Sequence, residues 1–272
     1  VEACVEAGAP AIVGMSEGER KHFGLGEAVA IRDALRRDFK IPIFLNADHT
    51  KSVDMARQAV DAGFDSIHID LSVLPFEENV RGTREVVEYL KTKNIPTFSR
   101  MLECFSVEGE LGYLRGESKV HTEKIEVKPE DYTKPEEAKE FVQKTGVDRL
   151  AIVVGNIHGI SMDEPALDIE RIRAIRVAIP EEVTLVLHAG SGIPDDQIKA
   201  AIGAGIANIH INTDLRTAFV GELRKTLAEH LDEVAMYKLD KEAIAAMKEI
   251  IKLKLTLFGA AGKMDASQKR SV

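Results

Sequence analysis

The chain has 272 residues, of which 44% are hydrophobic, 30% charged and only 5% aromatic, and it carries a formal net charge of −9 at pH 7. This is the composition of an ordinary soluble globular protein. No apolar run approaches the roughly 20 residues that span a bilayer, and the acidic balance argues against a nucleic-acid surface, which needs clustered Lys and Arg.

In chain order, VEACVEAGAP reads as the last turns of a helix stopped by Gly8 and Pro10. Short apolar runs follow at 11–15 (AIVGM), 41–47 (IPIFLNA) and 66–70 (SIHID), then one within 97–110 ending near VEGELG, and others at 150–155 (LAIVVG), 184–190 (TLVLHAG) and 208–212 (NIHIN). Each reads as a strand. Between them lie helical patterns such as SVDMARQAVDAG, where Val53, Ala56, Ala59 and Val60 share a face, and EEAKEFVQKTG, which ends on Gly146. Past the last strand come TDLRTAFVGELRKTLAEHL, DKEAIAAMKEIIKLKLTLFG and a basic Gly/Ser-rich tail. Strand–helix alternation over this length predicts a parallel sheet, and one (β/α)₈ TIM barrel typically takes about 250 residues. We expect a single barrel domain over 1–272 with a C-terminal helix and tail, its first strand lying before Val1. A doubly wound open sheet is the alternative built from the same units. The two cysteines, Cys4 and Cys104, are too few for a disulfide framework and read as buried small hydrophobes, which suits a reducing cytoplasm.

The positions of the polar residues favour the barrel, because parallel barrels gather their chemistry at the C-terminal ends of strands. Ser16, Asp48 with His49, Asp70, Glu110, Asn156 with His158, His188, and His210 with Asn212 all fall there. His49, His158 and His188, in NADHT, GNIHG and LHAGSG, would converge over one mouth, and three imidazoles with an open position make a catalytic zinc site. Asp48, beside the first of them, reads as a proton-transfer group for a substrate hydroxyl. Asp70 and Glu110 could ligate a displaced metal, or hydrogen-bond the histidines that ligate it. His68, within a strand, and His230, on a helix, read as structural. The HAGSG and INTD segments stand where barrels build phosphate sites from loop amides and a helix N-terminus.

These residues resemble the class II, zinc-dependent fructose-1,6-bisphosphate and tagatose-1,6-bisphosphate aldolases. MSEGERKHFG, LNADHT, AGFDSIHIDLSVLPFEENV, VEGELG, the YTKPEEAKEFVQKTGVDRLAIVVGNIHG stretch, LHAGSGIPDDQIKAAIGAGIANIHINTDLR and LFGAAGK carry the likeness in order over nearly the whole chain. The resemblance implies His49, His158 and His188 on a catalytic zinc ion, Asp70 and Glu110 at an alternate metal position, and room for a second divalent or monovalent cation. It implies Asp48 as acid or base at the C4 hydroxyl, with Gly159, Ala189, Gly190, Ser191, His210, Ile211, Asn212 and Thr213 around a phosphorylated sugar substrate. The reaction implied is cleavage or formation of the C3–C4 bond through an enediolate that the metal stabilises, in a cytoplasmic homo-oligomer, a dimer or higher. Three features depart from the family's pattern: the strand missing before Val1, His210 where Asn is usual, and Ser118 where a loop Glu serves proton exchange. The last leaves Glu117, one position away, as the candidate for that role. A shifted phosphorylated-ketose specificity, or a non-catalytic zinc and sugar-phosphate binder, are the alternatives these departures raise.

Overall fold

In the computed structural model, residues 1–93, 106–161 and 166–264 are described. Cys104, the start of the expected fourth strand, and the tail from 265 onward lie outside them. Seven parallel strands form one sheet: β1 (Ala11–Met15), β2 (Ile43–Thr50), β3 (Ser66–Ile69), β4 (Ser106–Leu111), β6 (Arg149–Ile152), β8 (Thr184–Leu187) and β9 (Ile206–Ile209), paired in that order. They correspond to the seven runs legible in the sequence. Two further strands, β5 (Gly116–Val120) and β7 (His158–Ile160), pair in parallel as a separate ribbon that the sequence did not announce.

The sheet curls into a half-barrel. The residue after β9, His210, comes within 3.2 Å of Asp48 on β2, although β2 and β9 lie near opposite ends of the pairing order. This is the TIM-barrel-like arrangement expected of the seven strands, with β1 and β9 the two edges of the sheet among the described residues.

Helices cover the outer face. After α1 (Glu2–Ala7) and α2 (Glu17–Phe23), α3 (Leu25–Phe39), α4 (Val53–Ala62), α5 (Phe76–Lys91), α6 (Pro135–Thr145), α7 (Ile169–Ala178) and α8 (Asp195–Gly203) pack side by side in sequence order. Beyond them α9 (Thr213–Glu229), the short α10 (Met236–Leu239) and α11 (Lys241–Leu257) follow, α11 packing on α8, α9 and α1. Local chemistry sets the ends of several. Ser16 and Glu19 form a capping box at α2, the Ser52 hydroxyl accepts the Met55 amide at the start of α4, and Gly146 ends α6 in the left-handed conformation.

The core lies between the helices and the sheet and includes Phe64, Ile67, Phe141, Leu150, Ile172, Leu185 and Ile198, all fully buried. Each such side chain contributes about 1.5–3 kcal/mol of burial. Gly109, on β4, lets the Phe141 ring lie against the strand; a Cβ there would sit 2.6 Å from the ring edge. The face inside the curl is polar. Arg149 on β6 reaches across to Ser66 on β3 and to Asn46 on β2 at 3.3 Å, and it lies 3.4 Å from Glu108 on β4.

Candidate active site at the mouth of the half-barrel

The Asp48–His49 pair takes its geometry from a break in β2. Adjacent strand residues normally face opposite sides, but the β2–β3 register shifts between Ala47 and Thr50, and His49 has φ of 42°. This β-bulge turns both side chains to the mouth. Buried Arg20, from α2, holds the bulge: its guanidinium donates to the Met15 carbonyl, to the Asp48 carbonyl at 3.0 Å and to the Thr50 hydroxyl at 3.0 Å. Ala189, after β8, is a second left-handed non-glycine, with φ of 58°, beside His188.

The histidines meet as a group of ring contacts. The His49 ring lies edge to face 4.7 Å from His188, 4.8 Å from His158 and 4.6 Å from His68, and the His210 ring lies tilted 4.0 Å from His188. Their partners assign the tautomers. His49 Nδ1 donates to Asp70 at 2.9 Å, which leaves Nε2 a lone pair, and that lone pair faces His158 Nε2 at 3.1 Å. His188 Nε2 donates to Glu108 at 2.6 Å, leaving Nδ1 as its acceptor. The His49 amide points at His68 Nδ1 at 3.1 Å, so the His68 proton sits on Nε2, 2.9 Å from Glu110. Burial opposes a charge on His68, but Glu108, Asp48 and Glu110 around it outweigh burial and push it well above the usual histidine range.

These surroundings shift the titrating groups. Burial and the neighbouring His49 push His158 down to about 3, and burial with His210 and His68 beside it holds His188 well below the usual histidine range. Burial alone would raise the carboxyls of Asp48, Asp70 and Glu108. The cationic and hydrogen-bonding groups around them, His210 at Asp48, His49 at Asp70 and Arg149 at Glu108, hold all three below the usual carboxylate range.

Two observations fit a bound cation. Two neutral imidazoles facing nitrogen to nitrogen need a proton or a cation between them, and 3.1 Å is near the edge of a zinc tetrahedron, about 3.3 Å for bonds of about 2.0–2.1 Å. His68 Nε2, Glu108 Oε2 and Glu110 Oε2 are buried without a well-aligned hydrogen bond. Donor atoms gather within 4.8 Å in three overlapping groups: Asp48, His49, His68 and His188; Glu108, His188 and His210; and His49, Asp70 and Glu110. His158 enters none of these and joins the site through its contact with His49. It lies on β7, past the end of β6 and away from the position expected for it at a strand end of the main sheet.

His68 and Glu108 belong to the site and were missed in the sequence. The signal was the two-residue strand period: His68 shares a face with Asp70, and Glu108 with Glu110. The phosphate-type segments also come together. Gly190 N donates to the His210 carbonyl at 2.9 Å, and the Ser191 hydroxyl accepts the Asn212 and Asp214 amides at 3.3 and 3.2 Å at the start of α9. Gly159 has φ of 92° and faces the backbone of Glu117 and Lys119, so its glycine serves the β5–β7 packing. The Glu117 carboxylate is exposed and ion-paired with Lys119 at 2.7 Å, on the strand whose Gly116 pairs with His158.

Among the described residues no helix is long and apolar enough to cross a membrane. The sequence model of the class-II fructose-bisphosphate aldolases matches residues 1–263. Among solved structures the chain is similar to the YdjI aldolase from Escherichia coli K12, with 33% identity, 97% of this chain and 87% of that one covered and a TM-score of 0.76. A putative fructose-1,6-biphosphate aldolase from Coccidioides immitis matches with 27% identity, coverages of 97% and 87% and a TM-score of 0.77. A fructose-bisphosphate aldolase from Campylobacter jejuni shares the fold, at 19% identity, coverages of 96% and 86% and a TM-score of 0.74.

Proposed function

Because this chain belongs to the class II fructose-bisphosphate aldolase family and is a lyase, we propose that it cleaves and forms the C3–C4 bond of a ketose 1,6-bisphosphate, with fructose 1,6-bisphosphate as substrate. The observation that carries the reading is the close approach of His49 and His158 beside Asp48, at the mouth where the β8 and β9 loops meet. His49 and His158, with His188 Nδ1 turned from Glu108, would hold a zinc ion, and Asp70 and Glu108 would aim the imidazoles. When bound, the metal supplies Lewis acidity at the substrate's ketone.

The remaining chemistry falls to the chain's own residues. Asp48 is ionised and hydrogen-bonded to His210 at 3.2 Å, which suits it to take the proton of the C4 hydroxyl during cleavage and return it during condensation. Ala189, Gly190, Ser191, Ile211, Asn212 and Thr213, together with Gly159, would seat the phosphate of the three-carbon ketone by backbone amides at the start of α9. Glu117 would move the proton at the carbon beside the ketone. The enzyme would work as a cytoplasmic homo-oligomer.

Chelator-treated protein should lose cleavage of fructose 1,6-bisphosphate and regain it with added Zn²⁺; activity in rigorously metal-free protein would overturn the reading. A second reading, an aldolase of shifted ketose specificity such as tagatose bisphosphate, is favoured by the His210 ring packed beside Asp48, where the C4 hydroxyl would arrive. The ratio of kcat/KM for the two bisphosphates decides between them.

A further inference from the structure

Polar side chains line the inside of the curl in two levels set by the strand register. His68 on β3 pairs with Glu108 on β4, and Glu108 with Arg149 on β6; one level nearer the strand starts, Asn46 on β2 pairs with Ser66 on β3. Side chains paired across neighbouring strands stand on one face. Arg149, with its side chain only 10% exposed, reaches both levels. Its guanidinium donates to the Ser66 hydroxyl and to Asn46 Oδ1 at 3.3 Å, and its Nε stands 3.4 Å from Glu108 Oε2. Neither Nε nor Oε2 has a hydrogen-bond partner elsewhere among the described residues, so the two charges answer each other.

Each of these partners in turn holds a group of the reaction centre. Glu108 Oε1 accepts from His188 Nε2 at 2.6 Å, and Asn46 Nδ2 donates to Asp48 Oδ1 at 3.4 Å. Asn46 and Glu108 are fully buried, so protein groups rather than solvent set their orientation. A donor at Asn46 Oδ1 fixes which way the amide points and leaves Nδ2 for Asp48. A cation at Glu108 Oε2 keeps that buried carboxylate from standing uncompensated and leaves Oε1 for His188.

We propose that Arg149 is a positioning residue for both halves of the centre, aiming His188 through Glu108 and Asp48 through Asn46. This rests on the metal-dependent reading above. The planar guanidinium fork serves two acceptors in fixed directions, which a lysine ammonium in the same place does not. Arg149 thereby couples the aim of an imidazole for the metal to the aim of the carboxylate that moves the C4 proton, from a row of the sheet beneath them both.

The test uses the full chain, with the zinc dissociation constant read by competition against a chromophoric chelator, the visible spectrum of the Co²⁺-substituted protein, and kcat and KM for fructose 1,6-bisphosphate at saturating zinc. Arg149→Met should weaken zinc binding and lower kcat, each by roughly 10–100-fold, shift the Co²⁺ spectrum and change KM far less. Arg149→Lys, which keeps a charge against Glu108, should recover zinc affinity more than kcat. In a Glu108→Gln background the further substitution Arg149→Met should cost no more zinc affinity, and in an Asn46→Leu background it should cost no more kcat, because residues acting through one another are not additive. The conservative Arg149→Lys and the double variants, which remove both members of a buried pair, keep the test open if Arg149→Met fails to fold. Wild-type zinc affinity and spectrum in the arginine variants, additive losses in the double variants, or equal recovery of affinity and kcat by lysine would each overturn the proposal and leave the metal reading standing. A wild-type chain that binds no zinc would overturn the metal reading and the proposal with it.

Discussion

His49 and His158, 109 positions apart in sequence, face each other through Nε2 atoms 3.1 Å apart, one from a bulge in β2 and the other from the short ribbon strand β7. Replacing His158 with Ala should remove one of two facing nitrogens and leave the sheet intact. The expected outcome is loss of bound zinc and a fall of aldol cleavage to the metal-free level, with an unchanged far-ultraviolet spectrum. Full metal content in this variant would show that the facing pair does not hold the ion.

Asp48→Asn keeps shape and removes the base. Cleavage should fall by about 10²–10⁴ in kcat, with KM changing far less and zinc retained. A variant that loses zinc instead would move Asp48 from proton transfer to ligation, the role its place among the His49, His68 and His188 donors would also permit.

Arg20 holds the Asp48 carbonyl and the Thr50 hydroxyl from another element. Arg20→Met should therefore act in two ways. It should cost about 3 kcal/mol in urea unfolding, since hydrogen bonds to a charged group contribute about 1.5–3 kcal/mol each. It should also weaken zinc binding by roughly 10–100-fold, as loss of a group supporting the ligands commonly does. Arg20→Lys, which keeps the charge but loses the fork, should recover only part of the affinity. Lost stability with unchanged zinc affinity would mean that the bulge persists without its clamp.

The metal-free protein should be sensitive to acid. His158 sits at about 3 when folded and near 6.5 when unfolded, so below pH about 6.5 the unfolded chain binds more protons and stability falls as the pH drops. The depressed carboxyls of Asp48, Asp70 and Glu108 add the same sign at lower pH, because their stabilisation is present above the unfolded carboxylate range of about 4 and lost beneath it. The urea midpoint of the apo protein should decline steadily from pH about 7 to about 4. A flat profile would contradict the assigned protonation states.

Gly109→Ala tests the core independently of the site. Its new Cβ would meet Phe141 at 2.6 Å, an overpacking that costs about 1–3 kcal/mol and should lower Tm without altering zinc content. Unchanged Tm would show that the Phe141 ring can give way.

Local pattern made much of the fold legible. The run AIVGM is β1 in full, and Ser52 and Gly63 bound α4 as a polar cap and a left-handed glycine. The ribbon of β5 and β7 was not legible, because GESKV is fully exposed and HGI only three residues long, so neither carries a buried-strand pattern. Nor was His68, whose mid-strand position looked structural until its partners on β2 and β4 were in place.

By itself the sequence determined the seven strands and the helices between them, because apolar period and capping residues act over a few neighbours. It also determined which segments carry polar chemistry at strand ends. The tertiary structure alone decided which side chains meet. Whether Asp48 and His49 share a face depends on a left-handed residue in a bulge held by Arg20 from α2. Those contacts join elements distant in the chain, and only their packing brings the charges close enough to set one another's state.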